Sequence, residues 1–142
     1  MTDTKVLKRL SEEISKESFG QIFGFKLKDL KPGYALVELD VTERFQNSLG
    51  MVHGGAIFSL MDQAFQAAGN SHGTVAVALN MNISYFRPPK FGGTLRAEAK
   101  EINLTRRTGT YAIEVRDEEG SLIANCQAMV YRKDTPLYFL DD

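Results

Sequence analysis

Gly54-Gly55-Ala56-Ile57-Phe58-Ser59-Leu60-Met61-Asp62-Gln63-Ala64-Phe65-Gln66-Ala67-Ala68-Gly69 is the stretch on which the fold turns. Its apolar side chains fall all round a helical circumference, which leaves no broad solvent face. A helix of this length, about 22 Å at about 1.5 Å per residue, must therefore be covered by the rest of the chain. The flanking segments supply the cover. After a Lys31-Pro32-Gly33 turn, Tyr34 to Val41 alternates, with Ala35, Val37, Leu39 and Val41 on one face and Glu38 and Asp40 on the other. Residues 75–86 set Val75, Val77, Leu79, Met81, Ile83 and Tyr85 opposite Ala76, Ala78, Asn80, Asn82 and Ser84. Residues 94–100, 110–116 and 122–130 repeat the alternation between short turn signals such as Asp117-Glu118-Glu119-Gly120, so they read as strands joined by hairpins. The predicted class is α+β, a curved antiparallel sheet wrapped around one central helix. Residues 3–17, with Val6, Leu7, Leu10 and Ile14 at spacings of three and four, predict a short amphipathic helix on the outside.

The whole chain, 142 residues of which 43% are apolar, fits one domain with one core. Folding at this size removes about 68% of the unfolded chain's surface, enough without a disulfide or structural metal. Cys126 is the only cysteine, and with only His53 and His72 beside it no zinc set can be assembled. The first 20 residues scatter charge throughout and lack a signal-peptide core. No segment approaches the roughly 20 apolar residues of a membrane span, so cytoplasmic residence without a membrane partner is the expectation. A net charge of −1 with 25% charged residues excludes an acidic disordered chain and a globally basic nucleic-acid binder. Neither a recognition helix nor an aromatic RNA-binding signature is present.

Asp62 is the residue that asks for chemistry. A carboxylate in an apolar helix is costly unless it is paired, hydrogen-bonded or wet. It either bonds a nearby hydroxyl or amide, faces out through a gap in the packing, or works. Asn47-Ser48-Leu49-Gly50-Met51-Val52-His53-Gly54-Gly55 runs directly into the helix. The Gly54 and Gly55 amides therefore fall in its first turn, where N–H groups lack intrahelical acceptors and suit an anion or a polarised carbonyl oxygen. Asn47 adds a side-chain amide. Donors for a developing oxyanion and a carboxylate to activate water or attack are the two parts of an acyl-transfer hydrolase. His53 reads as a helix cap or packed polar residue, with proton transfer as the alternative, and His72 as an exposed loop residue. No Gly-x-Ser-x-Gly elbow and no phosphate-binding Gly-x-x-x-x-Gly-Lys loop occurs.

Asn47, His53-Gly54-Gly55, Asp62 and the later Ser84-Tyr85-Phe86-Arg87-Pro88-Pro89 together resemble the hotdog-fold acyl-CoA thioesterases of the phenylacetate-degradation (PaaI) type. The resemblance spans residues 20–133 and includes Asn103-Leu104-Thr105-Arg106-Arg107-Thr108. Asp62 inside the helix, rather than ahead of it, favours this type over another hotdog class. The resemblance implies a hotdog fold, hydrolysis of acyl-CoA to a free acid and coenzyme A, and no cofactor or metal beyond the substrate's own coenzyme A. It implies that Asp62 is nucleophile or general base, that Gly54 N–H polarises the carbonyl with help from Asn47, and that His53 orients the local network. It further implies a homodimer or homotetramer with the site at the subunit interface, which the edge strands of a single wrapped sheet also favour. The chain departs from the pattern at Ala78, where family members often carry Ser or Thr; Asn80 and Asn82, read as sharing that face, are the expected substitutes.

Charge is unevenly spread. Residues 80–110 hold six cations against two acids, and residues 111–142 hold three cations against seven acids. Arg96 and Lys100 read as ordinary solvated strand residues. Arg87, Lys90, Arg106 and Arg107, with Thr108, Gly55, Asn80 and Asn82, are the candidates for binding the substrate and its coenzyme A phosphates. A non-catalytic acyl-CoA or lipid-binding module using the same groove is the alternative, and a hotdog hydratase or dehydratase lacks its aspartate-and-histidine pair. Phe58, Met61 and Phe65 are either acyl-pocket or core residues.

Overall fold

The central helix forms as α3, Gly54–Asn70, in a computed structural model that describes residues 2–141. Around it lie α1 (Asp3–Lys16), α2 (Ser18–Phe23), β1 (Lys26–Lys31), β2 (Tyr34–Asp40), β3 (Thr74–Tyr85), β4 (Thr94–Leu104), β5 (Thr108–Asp117) and β6 (Leu122–Pro136). The six strands make one antiparallel sheet in the order β1-β2-β4-β5-β6-β3, so β1 and β3 are its edges. This is the expected sheet wrapped on a helix. No helix among the described residues is long and apolar enough to cross a membrane.

Small side chains set how closely helix and sheet approach. Ala64, Ala67 and Ala68 of α3 and Ala97, Ala99 and Ala128 of the strands are fully buried. Phe65 fills the remaining space and meets the Tyr111 ring edge-on at 5.8 Å, a favourable aromatic geometry. On the outer face of the sheet, register aligns Glu38, Arg96 and Arg116, and Arg96 Nε lies 2.7 Å from Glu38 Oε2. Arg96, from the cationic stretch, is thus neutralised across strands by Glu38 of β2.

Two elements escape the alternation and amphipathicity that reveal the others. α2 is six residues with an internal glycine, too short for a helical stripe. Gly20 nonetheless has a clear use: a Cβ there would lie 3.3 Å from both Gln63 Nε2 and Glu17 Oε1, so its absence lets the N-terminal helices close on α3. β1 carries a register shift between Leu27 and Asp29, which breaks its period of two.

β3 corrects the sequence reading. Residues 75–86 alternate bulky and small without a break, yet the pairing with β6 shifts between Ala78 and Asn80, leaving Leu79 as an extra residue. Residues directly opposite in an antiparallel pair share a face. Ala78 opposes buried Val130 and so faces α3; beyond the bulge, Met81, Ile83 and Tyr85 oppose Ala128, Cys126 and Ala124, which also face α3. Asn80 and Asn82 oppose Met129 and Gln127 and therefore sit on the outer face. They do not share the face of Ala78, and their expected role beside the carboxylate is not met.

Candidate active site

α3 is not covered all round. Gly55, Phe58, Ser59, Asp62 and Gln66 recur at spacings of three and four and stay exposed or half-buried, while Leu60, Met61 and Phe65 on the other sides are almost wholly buried. Met61 and Phe65 are thus core residues of the chain, and Phe58 is not, with 39% exposure. Asp62 occupies the one uncovered stripe of an otherwise buried helix. Its carboxylate accepts no hydrogen bond from any described residue. Burial, and secondarily the nearby Glu17 carboxylate, push its pKa above the usual aspartate range. Beside it opens a cavity of about 230 Å³ whose other walls include Phe65, Gln66, Ala76 and Ala78. The desolvated carboxylate faces space.

The helix start is built by residues 45–55. His53 N donates to Phe45 O at 2.7 Å, and Asn47 N to Met51 O at 2.7 Å, closing a tight loop around Gly50, whose φ of +75° suits a residue without Cβ. Asn47 Oδ1 accepts from Leu49 N and Met51 N at 2.9 and 3.1 Å, which fixes the amide so that its NH₂ remains for a ligand. His53 is the N-cap of α3: its Nδ1 accepts from Gly55 N at 2.8 Å. The two glycine amides therefore differ. Gly55 N–H is spent on the cap, whereas Gly54 N–H has no acceptor among the described residues and keeps the direction of the helix dipole. Tyr85 Oη donates to Gly54 O at 3.3 Å and ties the C-terminal end of β3 to this turn.

The cationic candidates divide between the two ends of the sheet. Arg87 follows β3 beside Ile123, and Lys90 borders a shallow cleft with Asp117, Glu118 and Glu119. Arg106 and Arg107 lie in the β4–β5 hairpin, where both pair with exposed Asp134, at 2.6 and 3.3 Å. Thr108 closes that hairpin, its Oγ1 2.9 Å from Thr105 Oγ1. The hairpin stands level with Tyr131 of β6, eight residues from Ile123, or about 26 Å at about 3.3 Å per residue. Within one chain these cations do not form one phosphate site. His72, read as a free loop residue, is held instead: Nε2 lies 2.7 Å from Glu101 Oε1, which also accepts from Tyr111 Oη at 2.9 Å. A larger concavity of about 620 Å³ lies on the outer face among Glu38, Arg96, Glu98 and Arg116, across the sheet from Asp62.

Known proteins share this fold. The thioesterase superfamily profile matches residues 49–124. A putative esterase of Archaeoglobus fulgidus is 38% identical over 130 residues, covering 91% of this chain and 84% of that protein. The acyl-coenzyme A thioesterase PaaI of Escherichia coli is 34% identical over 108 residues, covering 76% of this chain and 77% of that one. The solved E. coli PaaI structure superposes with a TM-score of 0.90 at 29% identity, over 96% of this chain and 99% of that chain. A Streptococcus mutans protein solved with acetyl CoA gives a TM-score of 0.76 at 26% identity, over 80% and 91% of the two chains. The chain belongs to the thioesterase superfamily, as a hotdog-fold thioester hydrolase of the PaaI type.

The cap makes a separable prediction. His53→Ala is expected to cost about 1 kcal/mol of stability, because Gly55 N–H loses its acceptor, while His53→Asn, a good cap, retains most of it. Urea-unfolding midpoints of the two variants check this.

Proposed function

We propose that the protein hydrolyses acyl-coenzyme A thioesters to a free carboxylic acid and coenzyme A, in a site completed by a second copy of the chain. The observation that carries the reading is the pair of unsatisfied groups on α3, the Gly54 N–H and the Asp62 carboxylate. A thioester carbonyl needs both at once: a donor about 3 Å from the oxygen and a carboxylate or its water at the carbon. Eight residues separate the two, about 12 Å of helix at about 1.5 Å per residue, so one subunit cannot offer both to one carbonyl.

A second copy solves the distance. α3 and β3 run antiparallel, with Gly54 beside Tyr85 and Gly69 beside Ala76. If edge strand β3 pairs antiparallel with its own copy about a two-fold axis near Met81 and Asn82, Tyr85 of the copy comes level with Ala78. Its Gly54 then comes level with Asp62. The surface that such pairing covers is apolar: Leu49, Met51, Phe58, Val77, Leu79 and Phe86 are between 39% and 78% exposed and cluster around β3 and the start of α3. The same operation brings Arg87 of the copy to the end that holds Arg106 and Arg107, gathering cations for the phosphates of coenzyme A. Lys90, among acids, contributes least.

In this site Gly54 N–H and the Asn47 NH₂ receive the carbonyl oxygen as it becomes an oxyanion. Asp62 takes a proton from water or attacks the carbon itself, and the tetrahedral adduct expels coenzyme A thiolate. The aspartate must be ionised to act, and its pKa stands above the ordinary 3.8. Activity should therefore fall on acidification at a pH above the usual aspartate range.

Two outcomes test the proposal. Thiol release from acetyl-, hexanoyl- and phenylacetyl-CoA should drop by about 10²–10⁴-fold in Asp62→Asn, the size of a lost general base; unchanged turnover removes Asp62 from the mechanism. Leu79→Lys, which puts a charge on the β3 edge, should yield monomers with little activity in sedimentation and turnover measurements. An active monomer contradicts the shared site.

A further inference from the structure

The cavity beside Asp62 contains a second polar side chain, and its state is fixed. Gln66 follows Asp62 by four residues on the open stripe, so their Cβ atoms lie about 5–6 Å apart. Gln66 Nε2 donates to Glu17 Oε2 at 2.8 Å. A carboxylate accepts and does not donate, so the nitrogen of this amide must face Glu17 and its oxygen must face away. That oxygen, Oε1, has no hydrogen-bond partner among the described residues. Among the described residues, Asp62 and Gln66 are the only side chains with polar atoms lining this cavity, and the strand walls present hydrocarbon, with Ala76, Val77 and Ala78 on β3 and Val130 on β6.

Glu17 reaches this point by a specific construction. It is both the residue that ends α1 and the residue that precedes α2, and α2 closes on α3 through Gly20. A carboxylate at the joint between the two N-terminal helices thereby meets the fourth turn of the central helix.

We propose that Gln66, oriented by Glu17, holds the attacking water against Asp62. The inference rests on the hydrolase reading above and deepens it. A water has two protons to place. One points to an Asp62 oxygen and the other to Gln66 Oε1, which leaves a lone pair of the water aimed out of the cavity at the thioester carbon. The water oxygen bonds to that carbon as its proton passes to Asp62; the carbonyl electrons move to the oxygen held by Gly54 of the second copy. Collapse breaks the carbon–sulfur bond, and the departing thiolate recovers the proton from Asp62. Gln66 gives and takes no proton. Glu17 is a positioning residue, acting through Gln66. The titratable groups bearing on Asp62 are Glu17, from the α1–α2 joint, and the Cys126 thiol, from β6; β3 and α3 itself present no other.

The test uses the full chain and phenylacetyl-, hexanoyl- and acetyl-CoA. Gln66→Met keeps the length of the side chain and removes the acceptor, and kcat should fall about 10²-fold with KM little changed, the scale of a misplaced reactant. Adding Ala78→Ser, which sets a hydroxyl on the facing wall of the same cavity, should restore at least a tenth of the lost kcat. Glu17→Ala should lower kcat less than Gln66→Met, and the acid limb of its pH profile should move to lower pH because a negative charge near Asp62 is gone. Thermal unfolding of each variant confirms a native fold. Wild-type kcat in Gln66→Met overturns the proposal, as does a loss that Ala78→Ser leaves unrepaired. A Glu17→Ala profile identical to wild type overturns the clamp. If Asp62→Asn retains turnover, the hydrolase reading falls first and this proposal with it; if Asp62→Asn is inactive and Gln66→Met is not, only the water-holding role is lost.

Discussion

A rigid helix holds the two unsatisfied groups of the candidate site, Gly54 N–H and the Asp62 carboxylate, about 12 Å apart, at about 1.5 Å per residue over eight residues, and the rest of the proposed design follows from that spacing. Gly54 N–H is free because it belongs to the first helical turn and because His53 caps its neighbour instead, at 2.8 Å. Asp62 is free because it sits on the single stripe that the chain's own sheet leaves uncovered. Neither group finds a partner at home. Each is positioned by backbone geometry with little freedom to adapt, which is what preorganised charge stabilisation needs.

The open stripe depends in turn on the edge of the sheet. β3 lies at the end of the strand order, and the extra residue Leu79 turns its two halves to opposite patterns. Ahead of the bulge, small Ala76 and Ala78 face α3 and leave room for the cavity beside Asp62. Beyond it, Met81, Ile83 and Tyr85 face α3 and support the helix start. The same irregularity leaves Leu79 54% exposed on the edge. A bulge of one residue thus separates a cavity from a support within one strand, a use that matches the frequent placement of bulges near active sites.

Much of this was legible in the chain. The apolar circumference of residues 54–69 required a wrapped helix, the period-two segments supplied the sheet, and Asp62 stood out because a carboxylate in such a helix must be explained. The bulge was not legible, because bulky and small residues keep alternating straight through Leu79 while the hydrogen-bond register does not. Asn80 and Asn82 were misplaced for that reason alone. The α1–α2 joint was equally hidden: Glu17 meets Gln66 across 49 residues of sequence, and neither has a local pattern that announces the other. Arg106 and Arg107 stand out in the sequence as adjacent charge, but their pairing with Asp134 arises from neighbouring strand ends that no linear count reveals.

The central claim is that one carbonyl is served by two copies, and mixing two silent variants tests it most directly. Gly54→Pro deletes the oxyanion donor alone. Proline suits the first helical position, His53 already has the φ of −65° and ψ of 134° favoured before proline, and a Cβ at Gly54 makes only ordinary contact with Tyr85, at 3.6 Å. Subunits carrying Gly54→Pro and subunits carrying Asp62→Asn should each be nearly inactive. Co-refolded in equal amounts, they should regain about a quarter of wild-type acyl-CoA hydrolysis, because half of the random dimers hold one site with both groups intact. A mixture no more active than its components would place Gly54 and Asp62 in the same subunit's site and contradict the account.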